Sequence, residues 1–491
     1  MNLLVLLFPF VLAFFCGGAS LAAEEDLKAR VETMEKELQI LKAALTKQEE
    51  KATKDQALIT ELEEQNNQQT KKIEEISQAH EVLEKKFTLE EFYFPKKSQE
   101  FYGKDLSPQF SGIYTKPFLR RAGRNTYLGG YMDASYRMQQ SGKDRFEVLR
   151  FVPFIYADVS DRVKVASEIE FEHGGAAEKE GVRGDAATDV NGKSVPILDG
   201  EAKLEFATID FQIKEWINMR AGIILVPLGK FNLVHDAPLQ ELVDRPLVDT
   251  FIIPTTLSQA GMGFFGTLYP TEMSKLDYEI YATNGFGNDI NSSQGLMEAR
   301  LFRFDRDNNS NPALVTRVGF SPFLGLEVGG SVLFNKFSST GEGKSNFVLP
   351  ALDFAYQKGP FELVGEGAVV LLDRGQIVKS EEEVPPSNMF GYYVEPRFHF
   401  MPKFLRELAP KIFTERSTFT LVGRWDQVDL GNGFTVGEGK PADRRRQRAT
   451  IGLNYRYTRD TVFKVDYEWN IEQSGHDRTN NVFVFGWATY F

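Results

Sequence analysis

The chain of 491 residues carries a net charge of −12 at pH 7, contains one cysteine and is 13% aromatic. The negative charge excludes nucleic-acid binding by bulk electrostatics. Phenylalanine and glycine number 41 residues each, which is typical of an all-β protein with many turns and a large apolar surface.

Residues 1–22 are predicted to form a secretory signal peptide. Leu3–Phe15 supplies the apolar region, and small residues before position 23 suit cleavage after Ala22. The apolar run is shorter than the roughly 20 residues that a membrane-spanning helix needs, and the bulky Phe14 and Phe15 disfavour lipidation at Cys16. Cleavage removes Cys16, so we expect no disulfide bond and no cysteine-ligated metal in the mature chain.

Residues 23–88 are predicted to form a periplasmic coiled coil, because apolar residues recur there at alternating spacings of three and four without glycine or proline after Leu27. Polar residues at several core positions, including His80, are interpreted as fixing the register rather than as ligands. Isoleucine at both core positions near Ile73 favours a trimer, although the number of helices in the coiled coil stays open. The predicted seam begins with Val31, Met34, Leu38, Leu41 and Leu45.

Residues 89–125 are interpreted as a connector, after which residues 126–491 show a period of two. In the segment 461–471, Phe463 and Trp469 share one face, and Lys464 and Asp466 share the other. A soluble sandwich and an outer-membrane barrel both produce this alternation. Sixteen such segments are joined by connections that are alternately short and long, which favours the barrel. One long insertion, residues 402–416, lies in the short set and could form a small helix.

The sequence therefore predicts an all-β, 16-stranded antiparallel transmembrane β-barrel, preceded by an α-helical coiled coil. The chain ends on Phe491, with aromatic side chains at alternate positions before it. This ending places aromatic residues at the membrane interface, and it resembles the C-terminal signal read by the outer-membrane insertion machinery.

Arginine residues on the polar face of the strands are candidates for an anion path. A guanidinium stays charged and binds phosphate or carboxylate through two parallel hydrogen bonds. The alternative is that these residues pair with acids on neighbouring strands, and the sequence leaves the two open. For the run from Arg444 to Arg448, a rim cluster contacting lipid headgroups is a further alternative. The candidates are Arg150, Arg220, Arg317, Arg397, Arg424, Arg444, Arg446, Arg448 and Arg456.

The long connection at 227–258 is unusually apolar for a surface loop. Exposing it to water would be costly, so we expect it to fold into the barrel and narrow it. Its candidate constriction residues are Lys230, His235 and Arg245. The alternative is a loop that covers a subunit junction.

Several short segments resemble the phosphate-selective porin O and P family. They include MRAGIILVPLGKFN at 219–232, LSQAGMGFFG at 257–266 and VTRVGFSPF at 315–323. The resemblance covers about 126–491 and implies a trimer of sixteen-stranded barrels that admits small anions by passive diffusion. Acids on the lumenal parity, and an inward loop richer in acid than in base, depart from the lysine and arginine ladder of that family.

The leading hypothesis is a trimeric outer-membrane porin with a periplasmic coiled coil that reaches toward peptidoglycan. The alternative is a structural anchor that tethers the outer membrane to the cell wall, with little channel activity. An enzyme is not expected, because the five histidines are scattered and neither a nucleophile motif nor a metal-ligand spacing occurs. No cofactor and no metal is predicted.

Overall fold

The computed structural model describes residues 30–40, 42, 54, 56, 60, 62, 64–71, 116, 119–173, 187–188, 194–195, 201–287, 290, 294–300, 311–336, 346–373, 386–431, 445–472 and 480–491. The chain divides into two compact units, Met1–Thr88 and Leu89–Phe491, and each is described by itself. The predicted signal peptide and most of the connector lie outside the described residues. Among these residues, no helix has the length and apolarity to cross a membrane.

In the first unit, residues 30–40 and 64–71 are helical and exposed. Three of the predicted seam side chains are uncovered: Val31 is 50% exposed, Met34 67% and Leu38 55%. The helix therefore carries an unpartnered apolar stripe at heptad spacing. The coiled coil itself stays a prediction.

The second unit is a closed barrel of sixteen antiparallel strands, which confirms the predicted fold class. Each strand pairs with the next, and the last pairs with the first. In chain order, strands β1 to β16 are Thr126–Gln139, Arg145–Asp158, Val163–Glu172, Glu201–Lys214, Ile217–Leu225, Ser258–Thr271, Ser274–Thr283, Ala313–Phe323, Leu326–Lys336, Asn346–Lys358, Phe361–Leu372, Asn388–Phe400, Thr418–Asp429, Arg445–Arg456, Thr461–Glu472 and Val482–Tyr490.

Short elements complete the described part of the barrel unit. Arg120–Arg121 pairs with β1, and Ala187–Thr188 pairs with Ser194–Val195. Inside the long connection after β5 lie two 3-10 turns, Phe231–Leu233 and Ala237–Leu239, and the helix Leu247–Phe251.

The connections sort by length, as the sequence predicts. Residues 215–216, 272–273, 324–325 and 359–360 are two-residue turns, whereas 173–200, 226–257 and 284–312 are long connections at the other end. Short turns at one end and long loops at the other are the layout of outer-membrane barrels. Both ends of the barrel chain lie at the short-turn end.

The insertion after β12 contains the helix Lys403–Leu408, as predicted. It folds against the outer face of the barrel, where the Phe413 ring lies 5.4 Å from that of Tyr455 and 6.0 Å from that of Phe419. Phe404 and Leu408 are exposed beside this aromatic group. The insertion thus extends the apolar outer surface near the short-turn end.

The chain end completes the barrel. The amide of Phe491 donates to the carbonyl of Gly130 over 2.9 Å, and the amide of Gly130 donates to the carbonyl of Phe491 over 3.1 Å. The Phe491 ring stacks on Phe151 of β2, with 5.5 Å between ring centroids and 8° between planes. The terminal phenylalanine therefore joins the first and last strands, which leaves no sheet edge between them.

Candidate functional site

The polar interior of the barrel is the candidate site, and the alternation of the strands creates it. On β15, Lys464, Asp466 and Glu468 are buried, whereas Phe463 and Trp469 are 50% and 43% exposed. An apolar outer face with a charged inner face is the reverse of a soluble protein and is the arrangement of a transmembrane barrel. The predicted parity of this strand is confirmed.

Four of the nine candidate arginines lie on the inner wall and form ion pairs with carboxylates of the same strand, of the adjacent strand or, for Arg317, of the next strand but one. Each pair is buried, so each guanidinium is neutralised at its own position. The distances are 2.7 Å for Arg150–Asp133, 2.6 Å for Arg220–Asp210, 2.8 Å for Arg317–Asp353 and 2.6 Å for Arg397–Glu395.

Arg424 and Arg448 share one carboxylate. Their Nε atoms lie 2.9 Å and 3.3 Å from Oδ2 of Asp426. Arg448 Nη1 also lies 3.6 Å from Glu468 Oε2. The two arginines meet on adjacent strands β13 and β14, and acids surround them, so the cluster is a network and not a row of free cations.

Two further candidates, Arg446 and Arg456, contact the long loop. Arg456 pairs with Glu241 over 2.7 Å, and the guanidinium of Arg446 lies 4.3 Å from the ring centroid of Phe251, a cation–π contact. Arg444 lies outside the described residues. The sequence left open whether these arginines are free or paired with acids. Those that form the ion pairs above are paired.

The connection between β5 and β6 folds into the barrel. Its apolar side chains join inner-wall residues in one buried cluster, so they are removed from water without facing lipid. Members from the loop include Leu228, Phe231, Leu247, Val248, Ile252 and Ile253.

Acids of the inner wall hold the loop by its backbone. Glu366 accepts hydrogen bonds from the amides of Lys230 and Phe231 over 2.7 Å and 3.0 Å. Asp466 accepts from the amide of Val243 over 2.7 Å. A folded loop carries backbone donors that must be satisfied, and these lumenal carboxylates satisfy them. The sequence did not reveal this role, because it depends on which loop residue arrives at each strand.

The docked loop also carries ionised groups of its own. Burial opposes the ionisation of Glu241, but the charge of Arg456 and a hydrogen bond from Asn454 outweigh it and lower the pKa of Glu241 to about 2. For Asp244, the nearby Arg137 likewise overcomes burial and holds the pKa below its ordinary value. Both carboxylates therefore stay charged at neutral pH and bind the loop to β14 and β1.

The three predicted constriction residues lie inside the barrel but apart. Lys230 Nζ lies 3.0 Å from Glu327 Oε2, and Arg245 donates to the carbonyl of Thr255. His235 Nε2 lies 3.2 Å from Glu205 Oε1 and is fully buried. The structure does not gather these residues into one ring.

The connector contributes an interior residue that the sequence did not suggest. Lys116 is buried, with its Nζ 2.6 Å from Asp236 Oδ1 and 2.7 Å from Glu168 Oε1. Leu119 joins the buried cluster around Tyr131. A lone lysine in an aperiodic segment carries no signal of burial, so only the structure reveals its place.

Within the described part of the chain, two small cavities lie beside the loop. One of about 50 Å³ is lined by Lys230, Gln240, Gln357 and Arg397. Another of about 10 Å³ is lined by Arg150, His235, Asp244 and Arg424 among others. A single water needs roughly 10–15 Å³ of such space. Neither of these two cavities has room for more than a few waters.

Comparison with known proteins gives distant likenesses. No family model matches the chain. A protein of Aquifex aeolicus (strain VF5), described as uncharacterized, is 25% identical over 407 residues, which cover 80% of this chain and 84% of that protein.

Two solved structures are similar to the barrel. The outer membrane channel DcaP of Acinetobacter baumannii is 12% identical with a TM-score of 0.45, over 76% of this chain and 99% of its own. The anion-selective porin from Comamonas acidovorans is 10% identical with a TM-score of 0.43, over 74% and 99%. At these levels, function has to be inferred from this chain's own residues.

Proposed function

We propose that this protein is a bacterial outer-membrane porin that admits small solutes by passive diffusion, with a gate formed by the loop at 226–257. The observation that carries the proposal is the closed sixteen-stranded barrel with an apolar outside and a charged inside. Barrels of sixteen strands are wide enough to enclose an aqueous channel.

The charged interior favours a channel over a purely structural barrel. Taking a charged pair out of water costs several kcal/mol per ion before the pair's attraction offsets it, and apolar residues of similar volume often serve stability as well. Buried pairs such as Arg220–Asp210 are therefore not needed for stability alone, and they would line an aqueous path when the loop moves. A barrel that served only as an anchor has no need of them.

Selectivity for anions, and for phosphate in particular, is the narrower proposal that the family resemblance adds. The candidate arginines supply positive charge along the wall. Their partners offset it: among the buried residues of the described chain, fifteen carboxylates accompany ten lysines and arginines. Because acids outnumber bases, an anion preference has to arise locally, and we propose Arg446 and Arg448 as its strongest contributors.

We further propose that residues 23–88 trimerise in the periplasm, after removal of the signal peptide at 1–22, and reach toward peptidoglycan. The exposed stripe of Val31, Met34 and Leu38 supports the coiled coil, since apolar residues at this spacing are normally covered by a partner helix. Residues 89–125 connect this segment to the barrel. No enzymatic activity is part of the proposal.

The second candidate function is a structural anchor. One observation favours it: the loop packs inside the barrel, and the two cavities described beside it have volumes of only about 50 Å³ and 10 Å³. On this alternative the barrel holds the coiled coil in the membrane and conducts little.

Planar-bilayer conductance of the purified protein separates the two functions. We expect the wild type to give small openings, and a variant with residues 229–254 replaced by a short Gly-Ser linker to give larger, steady openings of porin size. The control shortens the insertion at 403–416, which lies on the outer face. If both the wild type and the loop-deleted barrel are correctly folded but silent, the porin proposal fails and the anchor is supported.

A further inference from the structure

Three side chains from distant parts of the chain converge at one buried point in the barrel. Glu168 comes from β3, Glu205 from β4 and His235 from the loop, and one ligand atom of each lies within 4.8 Å of the others. All three are at most 1% exposed. Glu168 and Glu205 lie on the adjacent strands β3 and β4, but the chain positions gave no hint that His235 of the loop would meet them.

The orientation of His235 fixes its tautomer. Nδ1 lies 2.9 Å from the backbone carbonyl of Asn232, and a carbonyl can only accept, so Nδ1 carries the proton. In a neutral imidazole, Nε2 then presents a lone pair. That lone pair points toward a carboxylate oxygen of Glu205, 3.2 Å away. Two acceptors face each other, so the contact calls for a proton or a cation between them.

The hydrogen bond to Asn232 is the kind that metal-binding histidines make. Such residues usually donate their second ring nitrogen to a carbonyl or a carboxylate, which holds the ring with the other nitrogen toward the metal. Thr256 Oγ1 donates to Glu205 Oε1 over 3.2 Å and orients that carboxylate in the same way.

Some carboxylate oxygens of the cluster have no hydrogen-bond donor. Glu205 Oε2 and Glu168 Oε2 are buried and have no hydrogen-bond donor. The ammonium of Lys116 lies 2.7 Å from Glu168 Oε1, which leaves Oε2 of each glutamate for another positive group. An ionised carboxylate in a dry interior normally has such a partner.

The charge of the cluster also points to a divalent ion. In their ionised forms, Glu168, Glu205 and Asp236 carry three negative charges and face the one positive charge of Lys116. With a neutral His235 the buried group has a net charge of −2. The adjacent Glu170 has a separate partner in Lys203, 2.6 Å away. One divalent cation would balance the group.

We propose that Glu168, Glu205 and His235 bind a divalent transition-metal ion, of which Zn²⁺ is the best match, and that this ion fastens the loop to the barrel wall. One nitrogen and two carboxylate ligands suit Zn²⁺ and related first-row ions better than Ca²⁺ or Mg²⁺, which prefer oxygen alone. Because His235 belongs to the loop and the glutamates to the wall, the ion joins the two. The proposal stands whether or not the barrel conducts.

The test measures zinc in the full-length protein. The protein is stripped with EDTA, refolded in detergent with Zn²⁺, dialysed and analysed by mass spectrometry of the metal. We expect about one ion per chain, and an affinity lowered at least about tenfold in Glu205→Gln and His235→Ala. His399→Ala is the matched control, because His399 is half-buried beside Thr420 and Glu362, away from the cluster. It should bind zinc as the wild type does.

Two results overturn the proposal: refolded wild type without zinc, which would indicate a protonated imidazole at position 235, or zinc binding that both variants retain. If Glu205→Gln and His235→Ala fail to fold, Glu168→Gln replaces them. X-ray absorption spectroscopy at the zinc edge of the wild type then identifies the ligand atoms. One nitrogen with oxygen donors supports the site, and a spectrum with several nitrogens or only water oxygens contradicts it.

Discussion

Glu241 of the inward loop and Arg456 at the short-turn end of β14 form a buried ion pair, with 2.7 Å between Oε1 and Nη2. A second oxygen of Glu241 accepts a hydrogen bond from Asn454 over 2.6 Å. The loop therefore reaches from the long-loop end, where β5 ends, to the opposite end of the barrel. The Glu241–Arg456 pair therefore holds the loop at the short-turn end of the barrel.

Breaking this pair should release the loop. Glu241→Gln leaves the buried guanidinium of Arg456 without its counter-charge, which costs on the order of 3 kcal/mol, and we expect larger openings in planar bilayers and a lower melting temperature. The control is Arg445→Gln, whose partner Asp429 is at the same distance of 2.7 Å but whose own side chain is 62% exposed. An exposed pair contributes at most about 1 kcal/mol. Equal effects of the two substitutions would contradict the anchoring role of Glu241.

Acid should open the channel. The pKa of Glu241 is lowered to about 2 in the folded protein, below the roughly 4.3 of a free glutamate. A carboxylate with a depressed pKa stabilises the docked state above its unfolded pKa and loses that contribution as pH falls through the folded value. We expect constant conductance from neutral pH down to about pH 5, and an increase as pH falls toward about 2. Glu241→Gln should already be open at neutral pH and show a smaller acid response.

Removing Arg448 should shift selectivity toward cations. In Arg448→Ala, Asp426 and Glu468 lose a shared partner, so the wall near β14 becomes more negative. We expect the reversal potential in a KCl gradient to move toward cation preference, and Arg446→Ala to shift it in the same direction. Arg445→Ala, at an exposed position beside them, is the control. An unchanged reversal potential in the first two would reject their place on the permeation path.

The terminal phenylalanine should matter for barrel stability. In Phe491→Ala the backbone hydrogen bonds to Gly130 can persist, but the ring no longer stacks on Phe151. Loss of a stacked aromatic contact costs about 0.5–1.5 kcal/mol beyond the lost area. We expect a lower unfolding temperature and less correctly inserted protein. Phe264→Ala, which removes an outer-face ring of β6 with the same 45% exposure, should have a smaller effect; equal losses would contradict the closing role of Phe491.

The predicted trimer depends on the seam of the helix. Leu38→Asp places a charge on the seam and should reduce the trimer to smaller species, as measured by analytical ultracentrifugation in detergent. Ile40→Asp is the matched control, since Ile40 is off the seam yet is 70% exposed, compared with 55% for Leu38. If both variants stay trimeric, the barrel and not the helix holds the assembly together.

Much of the barrel was predictable because strand alternation has a period of exactly two residues. Phe463 and Trp469 face outward and Lys464 and Asp466 inward, as their order predicts. The helix at Lys403–Leu408 and the sorting of turns by length also follow from local sequence. Such features depend on neighbours a few residues apart, and the chain order contains that information.

The interior was predictable only in part. Parity placed Arg220 and Arg424 inside, but it could not decide whether they were free or paired, because pairing depends on the register between strands. The apolar composition of the loop predicted that it avoids water. It did not predict that Glu366 and Asp466 would accept its backbone hydrogen bonds.

The sequence by itself determined the barrel, its lipid-facing surface and the residues that face inward, because each follows from a short repeating pattern. Tertiary structure alone decided that Lys116 enters the lumen, that Glu241 meets Arg456, and that Glu168, Glu205 and His235 converge. These contacts join residues that lie between about thirty and more than two hundred positions apart. The loop and Lys116 pack inside the barrel and bring these residues together, and no local sequence pattern encodes contacts over such separations.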